Sequence, residues 1–82
     1  MEYLSNPEIM KRLEEAGFVC VEKPSEYSGD MMVYVRDEDQ PEGVFVSNWG
    51  YDCEPSDELS AVFDGTEHYL EAVRPCYFVV AH

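Results

Sequence analysis

Ile9, Met10 and Leu13 recur at helical spacing, while Lys11, Arg12, Glu14 and Glu15 fall between and after them. That period predicts an amphipathic helix. Asn6 can cap its free N–H groups, Pro7 at the first helical position removes no needed donor, and Gly17 closes it. Phe18–Glu22 then reads as a strand. Met31–Arg36 reads as a second, beyond the turn-rich stretch 24–30, and residues 44–46 as a third after the polar loop 37–43. The helix and these strands are expected to form a meander with the helix on one face.

Two patterns compete in the second half. Ser56 can cap a short helix ending at Phe63, and Thr66 another over residues 67–73, where Tyr69, Leu70 and Val73 share one helical face and Pro75 stops the run. Alternatively, Asp64-Gly65 is a hairpin turn between two strands. The helical pattern is preferred. Tyr77–Val80 is apolar on both faces, as a central strand would be. The order α-β-β-β-α-β describes one compact α+β domain over residues 1–82: a small, mainly antiparallel sheet of about four strands with one or two helices on one face.

Composition narrows the function classes. The 82 residues are 45% hydrophobic and 13% aromatic, too apolar for a disordered chain but enough for only one modest core, which makes a deep substrate cavity unexpected. No apolar run approaches the ~18 residues of a membrane span, and no basic stretch followed by an apolar one opens the chain. Cys20, Cys53 and Cys76 are odd in number and widely spaced, which reads as free thiols in a reducing cytoplasm.

Charge changes the picture most. Eighteen acids face five bases, for a net −13. Between residues 37 and 73 stand Asp37, Glu38, Asp39, Glu42, Asp52, Glu54, Asp57, Glu58, Asp64, Glu67 and Glu71, without one Lys or Arg. Such a balance opposes direct binding to nucleic acid or anionic membranes, whose recognition needs cations. It also opposes compaction, so folding alone does not call for it. In extended backbone Asp37 and Asp39 would lie about 6.6 Å apart on one side, as would Asp52 and Glu54. On a helix Glu67 and Glu71 would be neighbours at roughly 6 Å. Carboxylates so spaced approach the charge density of a nucleic-acid backbone, with one charge per ~3.4 Å on each strand.

The implied partner is therefore a basic protein, such as a nucleic-acid-binding nuclease or effector complex, with its nucleic-acid site blocked by charge mimicry. Trp49 and Tyr51, beside these acids, are candidate anchors, since Trp and Tyr dominate interface hot spots. Trp49 could equally close one end of the core. The alternative for the whole chain is a small regulatory or immunity-type binding module that is acidic only for solubility.

Other chemistry has weaker footing. Asp37-x-Asp39 begins like a calcium loop, but Glu42 replaces the required Gly and Asn48 the terminal Glu. Cys53, His68 and Cys76 lack zinc-ligand spacing. Cys53 lies between Asp52 and Glu54, the reverse of the electropositive setting that activates a thiol, and the acids near His68 favour its protonated form. No catalytic residue, metal or cofactor is expected. In size, charge and mixed α/β character the chain resembles the small acidic inhibitors that bacteriophages make against host defence nucleases, among them anti-CRISPR and anti-restriction proteins and inhibitors of DNA glycosylases. That resemblance implies an inhibitory binding role and carries no residue assignments.

Overall fold

The computed structural model describes residues 2–40, 46–49 and 52–82, with strand residues 46–49 and 52–54 described by their backbone alone. Helix α1 spans Asn6–Glu15 and buries Ile9 and Leu13, with Met10 packed beside them. Ser5, not Asn6, is its N-cap. Asn6 instead donates to Glu22 Oε2 at 2.9 Å and to the Met31 carbonyl at 2.8 Å, pinning the helix to the first two strands. Gly17, at φ 91°, reverses the chain so that the Phe18 N–H reaches the Leu13 carbonyl at 2.9 Å. Only a residue without Cβ takes that conformation cheaply.

Strand β1 is Val21–Pro24, starting later than the alternation suggested. Phe18 enters the core ahead of it, and Val19 is held at both its N–H and its carbonyl by the Gln40 side chain. Strand β2, Met31–Arg36, falls where expected, and a 3₁₀ turn over Asp37–Asp39 follows. Strands β3 (Val46–Trp49) and β4 (Asp52–Pro55) pair with each other as a separate two-stranded sheet. The expected three-strand meander is thus corrected: β2 takes the last strand as its second neighbour. Residues 44 and 45, part of the strand expected there, lie outside the described residues.

Ser56 caps α2, Asp57–Ala61, through its Oγ and the Leu59 N–H at 3.3 Å. The second helix expected over 67–73 is instead strand β5, Tyr69–Arg74, antiparallel to β6, Tyr77–Ala81. Its hairpin turn is Pro75-Cys76, not Asp64-Gly65, with Cys76 at φ 60°. The main sheet is antiparallel in the order β1-β2-β6-β5, which makes β6 central as its two apolar faces implied.

One face of this sheet presents Val33, Val35, Phe78 and Val80 to Ile9, Leu13, Leu59 and Phe63, and this cluster is the core. Burying such a side chain contributes roughly 1.5–3 kcal/mol. By the two-residue period of strands, Met32, Tyr34, Arg36, Tyr77 and Val79 stand on the other face. Cys76 is disulfide-bonded while Cys20 is free, so the cysteines are not three free thiols. Among the described residues no helix is long and apolar enough to cross a membrane.

Candidate partner-binding surface

The acids fall into structurally different groups. At the end of β2, Arg36 Nε and one terminal nitrogen meet both oxygens of Asp39 at 2.6 and 3.0 Å, and its other terminal nitrogen meets Glu38 at 3.1 Å. The hydrogen bond that Arg36 donates to Asp39, with both carboxylates nearby, raises the Arg36 pKa above its ordinary value despite partial desolvation. Gln40 ties the turn down by donating to the Val19 carbonyl at 2.6 Å and the Arg36 carbonyl at 2.9 Å. The 3₁₀ turn removes the extended geometry on which the Asp37–Asp39 spacing depended. Asp39 is half-buried and Glu38 paired, so among the described residues Asp37 alone of the three is exposed without a cationic partner.

The segment following β4 is different. Leu59 and Phe63, one helical turn apart, are buried and fasten α2 to the core. The Thr66 hydroxyl donates to the Phe63 carbonyl at 2.7 Å and accepts from the His68 N–H at 3.1 Å, fixing the path back to the sheet. Asp57, Glu58, Asp64 and Glu67 are all exposed on this frame, and among the described residues none has a cation within ion-pair distance. Asp57 and Glu58 sit in the first turn of α2, where the free N–H groups favour negative charge. Glu71 stands on β5 opposite Val79, so the helical Glu67–Glu71 spacing is not formed.

Trp49 and Asp52 are paired across the β3–β4 hairpin, as are Ser47 and Glu54, which places Trp49 at a strand end. Asp52 and Glu54 stand two residues apart along β4. Glu42 and Tyr51 lie outside the described residues.

The sequence missed where the cations would go. Lys11 pairs with Glu15 at 4.0 Å, Arg12 with Glu2 at 3.2 Å and Arg74 with Glu26 at 3.4 Å. The ammonium of Lys23 lies 5.1 and 4.8 Å from the ring centres of Tyr34 and Tyr77, and Arg74 lies 4.8 Å from Tyr77. Three of the five bases therefore gather on the open sheet face around Tyr77, which pairs with Arg36 on one side and Arg74 on the other. Period-two alternation in β2 and β6 was the available signal.

His68 is buried and accepts the Leu4 N–H at Nε2 (2.7 Å), as only an unprotonated nitrogen can, so the protonated form expected from its acidic neighbours is corrected. Among the described residues no group of His, Cys, Asp and Glu is arranged to hold a metal ion. No protein-family model, curated protein or solved structure matches the chain.

Proposed function

We propose that the protein binds a basic, nucleic-acid-handling protein in the cytoplasm and blocks its nucleic-acid site with its own carboxylates, as an inhibitor of the phage anti-defence kind. One observation supports this above the rest: among the described residues Lys11, Arg12, Arg36 and Arg74 pair with other carboxylates, while Asp57, Glu58, Asp64 and Glu67 form an exposed run with no cationic partner. A basic groove would supply the missing counter-charges, and the excess negative charge would steer the encounter.

A second reading, a regulatory or immunity-type module acidic only for solubility, draws on another observation. Asp37 is bonded to the β5–β6 turn through its N–H and the Cys76 carbonyl, whereas Asp64 and Glu67 flank the Glu2–Thr66 bridge leading into β5. These acids stand at opposite ends of β5 and β6, roughly 13 Å apart along the strands, and so do not make one row.

Affinity capture separates the two. The wild type and a D57N/E58Q/D64N/E67Q variant are used as bait, oxidised and reduced, and eluted with salt or with excess DNA. Mimicry predicts one basic partner that both eluents release and the variant fails to hold. A partner held equally by the variant, or resistant to both eluents, would favour the module reading.

A further inference from the structure

The open face of the main sheet carries a groove of about 570 Å³ between the β1–β2 turn and the β5–β6 hairpin. That volume is within the roughly 300–1,000 Å³ of small-molecule sites. Its lining includes Lys23, Arg74, Tyr34 and Tyr77, with Tyr27, 92% exposed, at the rim. We propose that this groove binds a small planar ring bearing one phosphate or carboxylate group, of the kind a nucleoside monophosphate or an aromatic acid presents.

Three features carry the assignment. Among the described residues Lys23 has no carboxylate within ion-pair distance; it rests over two tyrosine rings at 5.1 and 4.8 Å. A ligand anion would give it a counter-charge, and Arg74, held to exposed Glu26 by a single 3.4 Å contact, can turn to the same anion. Among the described residues the buried Tyr77 hydroxyl has no hydrogen-bond partner. A ligand oxygen reaching into the groove would give that hydroxyl its partner. The exposed Tyr27 ring at the rim supplies a stacking surface, and Glu71 in the lining can accept from ring N–H or sugar hydroxyl groups. In a chain of net charge −13, this local gathering of cations and rings is where an anion of ligand size meets attraction instead of repulsion.

The site shares no residue with the acidic run of α2, so it stands or falls apart from the partner-binding proposal. Its test is amide-resolved NMR titration of the full chain with adenosine monophosphate and with 4-hydroxybenzoate, against adenosine and inorganic phosphate. Saturable shifts at Lys23, Tyr34, Arg74 and Tyr77 are expected with at least one ring-bearing anion, and which one binds tells nucleotide from aromatic acid. Adenosine and phosphate should each bind at least about tenfold more weakly, and Lys23→Met and Arg74→Met should each weaken binding by about tenfold or more, with Lys11→Met neutral. The wild-type shift map stands even if a variant misfolds. The proposal is overturned by no saturable shift with either ring-bearing anion, by phosphate binding as well as the nucleotide, or by equal loss in Lys11→Met.

Discussion

His68 joins the two ends of the described chain by accepting the backbone N–H of Leu4 at 2.7 Å, across 64 positions of sequence. Because Nε2 accepts, the ring proton belongs on Nδ1, which lies 3.0 Å from His82 Nδ1. His68 Nδ1–H therefore donates to His82, whose own proton sits on Nε2. Tyr3 packs against both rings, at 5.1 and 5.2 Å between centres. These contacts hold the His82 ring in place. His68→Ala leaves the buried Leu4 N–H without an acceptor and should destabilise the fold by about 1–3 kcal/mol, apart from any cavity cost. Equilibrium denaturation measures the loss, and nitrogen chemical shifts of the two rings report the tautomers. An Nε2-protonated His68 would contradict the assignment.

Cys20 gives a prediction in pH. Burial, and secondarily the Glu14 carboxylate, push its thiol above its ordinary value of 9.0. The folded state thus favours the neutral thiol. The stability this contributes is fully present below the ordinary value and is lost as pH rises through the higher folded one. Wild type should therefore lose more stability between about pH 7 and pH 10 than Cys20→Ala, whose unfolded state has no thiol to ionise there. The same shift makes alkylation of Cys20 slow at neutral pH in the folded protein and fast in denaturant. Equal alkylation rates in both states would remove the basis for either expectation.

The sequence made α1, β2, α2 and β6 legible because each carries one unbroken period. Ile9 and Leu13 mark α1, Val33 and Val35 alternate with Met32 and Tyr34, and Ser56 sits before Leu59 and Phe63. Strand β5 was hidden by a register irregularity between Ala72 and Arg74, which interrupts alternation and leaves Leu70 and Val73 three apart, as on a helix. The turn Pro75-Cys76 disguised the hairpin, since positive φ at its second position is the habit of Gly or Asn. Of the candidate surface, the charge asymmetry was legible. What was not is that Arg36 absorbs Glu38 and Asp39, because a short polar loop does not announce which carboxylates will turn back onto the preceding strand.

Gln40 shows how much depends on such a turn. Its side chain makes three hydrogen bonds, two with the Val19 backbone and one with the Arg36 carbonyl, joining the entry of β1 to the exit of β2. Gln40→Ala should cost about 1–2 kcal/mol, while Gln40→Glu replaces a donor by a charge facing two carbonyls and should cost more. Amide exchange at Val19 is the local readout. Unchanged protection there in Gln40→Ala would show that the strand entry holds without it.

The uncompensated acids predict a stability that rises with salt. The molecule measures 32 × 26 × 20 Å. At about 0.01 M ionic strength the screening length of ~30 Å spans it, so carboxylates repel across the fold; at about 0.15 M the length of ~8 Å confines repulsion to near neighbours. Thermal midpoints should therefore rise between those concentrations in sodium chloride, where only screening changes. Neutralising Asp57, Glu58, Asp64 and Glu67 singly tests where the repulsion is concentrated. Asp64→Asn and Glu67→Gln remove charges in a loop and should be neutral to stabilising. Asp57→Asn should gain less, because its charge also complements the free N–H groups at the start of α2. If the midpoint ignores salt while all four substitutions destabilise, the carboxylates hold the fold together, and their exposure is no longer a reason to look for a basic partner.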